Sequence, residues 1–296
     1  VGGHLRSLCH LARPNCASSG DQWGSPVEDH KHAAKEVSTM NAVDKPLALI
    51  TGATSGIGLE LAKLAAADGY ALLLAADRPF ERALAELSGA AVETITVDLS
   101  TAEGVAALVA QIGKREVDVL CANAGQGLSQ GFLDQDFADV RKLIGINVVG
   151  TLDLVQQIGR SMRARGRGRI LLTGSLAGLL PGAYQAAYNA SKAFVDNFSF
   201  ALRNELKDTG VTVTCLMPNV TETDFWERAG ALESKAGSGK KDRPEAPAKA
   251  GWAAMKAGEG AVSPGYFDTL QRAILRVLPR DALAKVNAKE MRLDGA

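Results

Sequence analysis

The run LALIT at 47–51, passing directly into TGATSGIG at 51–58 and then LELAKLAAADG at 59–69, constrains this chain more than any other stretch. LALIT is apolar without polar alternation, the pattern of a strand buried on both faces of a parallel sheet. The following helix carries its apolar residues at helical spacing. Between them, Gly52, Gly56 and Gly58 let the backbone turn tightly and come close to a ligand, and the helix N-terminus offers free N–H groups and the positive end of a dipole. Strand, glycine loop and helix in this order form the layout that receives a dinucleotide pyrophosphate.

The same alternation continues. ALLLAA (71–76), VETITVDLS (92–100), VDVLCANAG (117–125), RILLTGS (169–175) and VTVTCLMP (211–218) read as five more strands, separated by helical segments at 79–88, 101–113, about 136–165 and 185–209. Alternation of this kind predicts an α/β fold: a Rossmann-like, doubly wound parallel sheet flanked by helices, in a single domain. Ligands of such sheets bind at the carboxyl ends of the strands. Asp77, Asp98, Asn123 and Ser175 all fall at such ends. About 20 residues past the glycine loop, Asp77 suits an adenosine ribose hydroxyl, and the adjacent Arg78 suits a 2′-phosphate.

Residues 173–192, TGSLAGLLPGAYQAAYNASK, place Tyr188 and Lys192 one helical turn apart and Ser175 upstream. An ammonium beside a phenol lowers the phenol's pKa and fits it for proton exchange near neutral pH. A Tyr and a Lys at this spacing are common in helices, so the pair acquires meaning only from its surroundings.

Composition removes other chemistries. Lys plus Arg equal Asp plus Glu at 33 each, which gives no basic field for nucleic acid. His4, His10, His30 and His32 all precede the first strand, so the folded body has no histidine for a Ser-His-Asp site or a His-ligated metal, and no metal is expected. Cys9, Cys16, Cys121 and Cys215 lack close pairing, which fits a reduced, cytoplasmic protein. No apolar run is long enough to cross a membrane. Residues 1–44 lack periodicity and read as a flexible, disordered tail; Arg6, Arg13 and no acid in the first twenty residues leave an organelle-targeting role open. The catalytic domain is expected over 45–280, with 219–260 as a mobile flap on the substrate side, an amphipathic helix at 266–280 and a tail at 281–296.

TGATSGIG at 51–58, NAG at 123–125, Ser175 and YNASK at 188–192, in this order on a Rossmann background, resemble the short-chain dehydrogenase/reductase superfamily over roughly residues 45–225. The resemblance implies an NAD(P)-dependent oxidoreductase acting on CH–OH groups. Gly52, Ser55, Gly56, Ile57 and Gly58 would hold the cofactor's phosphates and adenosine side, Asp98 and Leu99 would border the adenine, and Asn123, Ala124 and Gly125 would form the loop beside it. Tyr188 would be the general acid/base, Lys192 would lower its pKa and bind the nicotinamide ribose, and Ser175 would orient the substrate oxygen. Asn147 matches the position whose backbone carbonyl supports a proton relay, and Thr223 the threonine facing the carboxamide. Pro218-Asn219 departs from the usual Pro-Gly; Asn tolerates the left-handed turn. Ser55 stands where NADP-preferring members often carry a base, so with Asp77 the balance leans to NAD, Arg78 keeping NADP open.

The substrate is expected to be a small, partly hydrophobic alcohol or ketone, since Leu128, Phe132, Leu176, Leu179, Leu180, Tyr184, Phe225 and Trp226 fall in the segments facing the cleft. In the resembling family the helices bearing Asn147 and Tyr188 pair with those of a partner, implying a homodimer or homotetramer. A catalytically silent cofactor-binding sensor or scaffold of the same fold is the alternative reading.

Overall fold

A computed structural model describes residues 45–264, 274–275 and 277–292; the tail expected at 1–44 and most of the helix expected at 266–280 lie outside them. Strands β1 (Leu47–Thr51), β2 (Ala71–Ala76), β3 (Val92–Thr96), β4 (Val117–Ala122), β5 (Gly168–Thr173), β6 (Val211–Leu216) and β7 (Ala261–Val262) form one sheet in the order 3-2-1-4-5-6-7. Every pairing is parallel. The order reverses between β1 and β4, and a crevice opens there at the strands' carboxyl ends. β1 is buried along its whole length, as its unbroken apolar run requires.

Helices cover both faces. On one, α3 (Ala102–Ile112), α5 (Thr151–Ala164) and α6 (Ala186–Glu205) pack Val105, Leu108, Leu154, Ile158 and Val195 against the sheet. On the other, α1 (Gly56–Ala67) sets Leu59, Leu61 and Ala65 beside Trp252 and Met255 of a later helix. Full burial of such side chains stabilises the fold by about 1.5–3 kcal/mol each. Helix α2 (Glu81–Glu86) is short and mostly exposed.

Three segments differ from the sequence expectation. The helix expected over 136–165 is α4 (Phe137–Ile144) and α5 joined by a π-helical turn, Gly145–Gly150, which holds Asn147. Such turns recur at functional sites, and here close packing accompanies it: a Cβ on Gly150 would lie 1.9 Å from the Leu99 carbonyl oxygen. The flap expected at 219–260 divides. Helices α7 (Phe225–Arg228) and α8 (Lys235–Ser238) stay on the cleft side. Helix α9 (Glu245–Ala257) instead returns to the core, where Asp68 receives hydrogen bonds from Trp252 Nε1 at 2.9 Å and Lys256 Nζ at 2.7 Å. It leads into β7, a strand too short to register in the apolar pattern. The tail expected at 281–296 is corrected to a helix, α10 (Arg280–Met291), whose Leu283, Asn287 and Met291 are buried.

Among the described residues, no helix is long and apolar enough to cross a membrane.

Candidate active site

The crevice at the strand ends is a cavity of about 640 Å³. Its floor is the glycine loop. Gly52 and Gly56 have φ of +67° and +57°, conformations that favour glycine. A Cβ on Gly58 would lie 2.2 Å from the Gly52 carbonyl oxygen and 2.6 Å from Asn123 Nδ2, so only a bare Cα lets α1 start this close to the loop. Ser55, the N-cap of α1, makes no side-chain cap hydrogen bond. The first-turn N–H groups are thus left for another acceptor, and Ser55, Gly56 and Ile57 line the cavity. A cradle free of Cβ atoms at an uncapped helix N-terminus fits a pyrophosphate.

Polar side chains tie the neighbouring loop to this floor. Thr51 Oγ1 accepts the backbone N–H groups of Asn123 at 3.0 Å and Ala124 at 2.9 Å. Asn123 Nδ2 donates to the Thr51 carbonyl at 3.1 Å, and its Oδ1 accepts from Thr173 Oγ1 at 3.0 Å. The next turn is clamped by Asn147, which accepts the N–H of Gln126 at 2.8 Å and donates to its carbonyl at 2.9 Å and to Ser191 Oγ at 2.9 Å. Asn147 therefore acts here through its side chain, a role the sequence reading did not assign to it. The Gly125 backbone passes so near that a Cβ would lie 3.2 Å from Asn147 Oδ1 and 3.3 Å from Lys192 Nζ.

Ser175 follows β5, while Tyr188 and Lys192 project from the first turns of α6 into the same cavity. Lys192 is 6% exposed and donates to the Thr173 carbonyl at 2.9 Å, which fixes its ammonium beneath the cleft floor. The Tyr188 ring packs on Phe225 of α7, centroids 5.0 Å apart. Burial pushes the Tyr188 phenol up to about 12, against the opposing pull of a hydrogen bond with Ser175; the buried Asp196 carboxylate adds to the rise. Burial also pushes Lys192 below the usual lysine range, with Asp196 working against it. Desolvation thus sets the direction of the phenol's shift, with the Ser175 hydrogen bond the one influence that lowers it.

Other expected residues separate. Asp77, Leu99, Pro218 and Thr223 line the cavity; Asp98 and Arg78 are not among its lining residues. Asp98 caps the turn after β3, accepting the Ser100 N–H at 2.9 Å and facing Lys142 at 3.8 Å. Burial raises its pKa, but these hydrogen bonds and Lys142 hold it below the ordinary value. Of the apolar residues expected at the substrate, Leu176, Leu180, Phe225 and Trp226 line the cavity, whereas Leu128, Phe132, Leu179 and Tyr184 do not. Four contributors were missed. Asp196 lies four residues beyond Lys192 on the same face of α6, so the helical period could have found it. Asn287, Glu290 and Met291 of α10 also reach the cavity wall, and no local pattern announces that placement.

A 3-2-1-4-5-6-7 parallel sheet with a glycine-loop cradle at its switch point defines a dinucleotide-binding α/β protein. Residues 46–233 match the family model of short chain dehydrogenases, and the chain belongs to that family of oxidoreductases. It is 35% identical over 193 residues to the galactitol 2-dehydrogenase (L-tagatose-forming) of Cereibacter sphaeroides, covering 63% of this chain and 76% of the relative. Among solved structures, the short-chain dehydrogenase from Sphingobium yanoikuyae in complex with NADPH aligns with a TM-score of 0.68 at 27% identity, covering 79% of this chain and 97% of that one. The 3-ketoacyl-(acyl-carrier-protein) reductase from Brucella melitensis complexed with NADH aligns with a TM-score of 0.65, also at 27% identity, over 74% of this chain and 97% of that one. Dependence on NAD(P) follows from the family, the cradle and these complexes together.

Proposed function

We propose that the protein interconverts a secondary alcohol and a ketone. The bound nicotinamide supplies the hydride acceptor or donor. Gly52, Ser55, Gly56 and Ile57 hold the pyrophosphate, with Gly58 giving α1 its close approach to the loop. Asp77, Arg78, Leu99, Asn123, Ala124 and Gly125 form the adenosine side, while Pro218, Thr223 and Lys192 serve the nicotinamide side. Tyr188 exchanges the proton on the substrate oxygen and Ser175 hydrogen-bonds that oxygen. The phenol, held protonated through neutral pH, is ready to donate to a ketone oxygen as the alkoxide forms. Lys192 keeps a cation close to the oxygen from which the proton leaves, and Asn147 fixes the loop above it.

The observation that carries this reading is the convergence of Ser175, Tyr188 and Lys192 on one wall of a cavity whose floor is the glycine cradle. The substrate we assign is an apolar or acyl-type carbonyl compound in preference to a bare sugar, because Leu176, Leu180, Val220, Phe225 and Trp226 surround the polar cluster. A homodimer or homotetramer formed through α4, α5 and α6 completes the reading. It is supported by the exposed side chains of Phe137, Val149 and Phe194, which are 60%, 58% and 45% accessible.

Tyr188→Phe is the direct test, assayed by nicotinamide absorbance over a panel of ketones and alcohols. Turnover is expected to fall by about 10²–10⁴-fold, the usual range for losing a general acid, while dinucleotide binding persists. Undiminished turnover refutes the proton-transfer assignment, and indifference of the unaltered protein to every substrate restores the scaffold reading.

A further inference from the structure

The flap reaches across the cleft at its adenosine end. Asp77 follows β2 directly and lines the cavity. Arg228, the last residue of α7, places Nη2 2.8 Å from Asp77 Oδ2 across 151 positions of sequence. Both side chains are only 27% exposed. A second pair runs beside the first, Arg78 Nη1 lying 3.9 Å from Asp224 Oδ2. Thr223, just before α7, sits against the glycine loop, so that a Cβ on Gly56 would lie 2.7 Å from its Cγ2. The segment is therefore seated on both the phosphate cradle and the end of β2.

An acid at the end of β2 accepts hydrogen bonds from a ribose 2′-hydroxyl and repels a 2′-phosphate. Taken alone, Asp77 selects against the phosphorylated cofactor. Arg228 offsets that charge. Four charges meet at this point: Asp77 and Arg78 from the β2 end, Asp224 and Arg228 from the flap. They sum to zero, each acid facing an arginine from the opposite element. A guanidinium has five N–H donors in a planar fork, and the bond to Asp77 leaves most of them for phosphate oxygens.

We propose that Arg228 is a specificity-determining residue for the cofactor: reaching over from the substrate flap, it offsets Asp77 and, with Arg78, receives the 2′-phosphate of NADP(H). This assignment rests on the NAD(P) reading above. It places a selectivity element about 150 residues from the β2 end that the dinucleotide motif marks, on the flap rather than on the sheet.

The test is direct binding, by isothermal titration of NADPH and NADH separately into the full chain and into Arg228→Gln, Asp77→Asn and the double variant. Arg228→Gln is expected to raise the Kd for NADPH at least about tenfold, the loss typical of a charge-assisted hydrogen bond, and to move NADH less than about threefold. Asp77→Asn is expected to weaken NADH and spare NADPH. In the double variant part of the NADPH affinity returns, because no unopposed carboxylate remains to repel the phosphate, and the two changes are therefore non-additive. An Arg228→Gln variant that shifts both dinucleotides by one factor overturns the assignment and leaves the ion pair as a simple latch. So does an unaltered protein that binds NADH without measurable NADPH. An unaltered protein that binds neither overturns the NAD(P) reading itself, and this inference with it.

Discussion

Asp196 Oδ1 accepts the backbone N–H of Ser175 at 3.2 Å, from a position one helical turn beyond Lys192 on the same helix. A buried carboxylate thus connects the turn that carries Ser175 to the helix that carries Tyr188 and Lys192. It also crowds the loop: a Cβ on Gly174 would lie 1.9 Å from the same oxygen. Asp196→Asn keeps an acceptor for Ser175 and removes the charge, which holds the Lys192 pKa up against burial. The ammonium should then lose its proton at lower pH, so the alkaline limb of the kcat profile moves to lower pH while folding is largely kept. Asp196→Ala also leaves the Ser175 N–H without this acceptor, at a cost of about 1–3 kcal/mol. Thermal unfolding together with pH profiles of the two variants separates charge from hydrogen bond. An unshifted profile in Asp196→Asn refutes the electrostatic role.

Alkali should unfold this protein earlier than an ordinary α/β domain. Burial pushes the Cys215 thiol from 9.0 up to about 12 and the Tyr188 phenol from 10.0 up to about 12, and it raises Cys121 further still. A group with a raised folded pKa contributes stability that is complete below its unfolded pKa and is lost as pH climbs toward the folded one, because the unfolded chain releases its proton first. Each unit is worth about 1.4 kcal/mol. Lys192, whose folded pKa is lowered, works the other way: the folded state releases its proton first, so its share of stability recovers as pH rises toward 10.5. Tyr70 and Lys63, both raised, act in the same direction as the cysteines and Tyr188, so Lys192 is outnumbered. Unfolding free energies from urea titrations should fall between pH 8.5 and about 11 by several kcal/mol, and Cys215→Ala should flatten the decline. A midpoint independent of pH over that window contradicts this account.

What the sequence disclosed was local. The glycine loop, the apolar strands and the one-turn spacing of Tyr188 and Lys192 are each encoded within about a dozen neighbouring residues, and each forms where its pattern lies. The remaining features depend on chain segments that meet only after folding. No spacing rule joins Asp77 to Arg228 or Asp68 to Trp252, 151 and 184 residues apart. The rise of the Tyr188 phenol is of the same kind: proximity of a lysine is visible in one dimension, whereas desolvation is set by everything that closes over the phenol. The helix at 280–291 lacked a marked apolar stripe, so its buried face was legible only from its docking.

The exposed face of α6 supplies a test of assembly. Phe194 is 45% accessible and stacks on Phe198 with centroids 6.3 Å apart; Phe137 and Val149 are exposed as well. A carboxylate placed in an apolar interface costs several kcal/mol unless it is paired. Phe194→Glu should therefore shift the mass measured by light scattering from oligomer to monomer without unfolding the chain. A variant with the same mass as the unaltered protein counts against this face as the interface.

Helix α10 lines the cavity through Asn287, Glu290 and Met291, on the side we assign to the substrate. Met291 is buried against the group containing Trp226, and Asn287 Nδ2 donates to the Ala183 carbonyl at 2.9 Å. Arg280 Nη1 donates to the Leu179 carbonyl at 3.2 Å, and Lys235 of α8 pairs with Glu290. These contacts hold α8 and the 179–184 loop in place around the apolar wall, and none of these bonds reaches Tyr188 or Lys192. Truncating Met291 should thus loosen the wall and weaken ground-state and transition-state binding alike. Met291→Ala is expected to raise KM about tenfold for an apolar ketone, the effect of losing roughly 1–2 kcal/mol of packing, while kcat stays within about twofold. Replacement by Leu, which conserves volume, should restore KM. If kcat falls and KM holds, α10 is acting on the chemistry, and its role as a substrate wall is wrong.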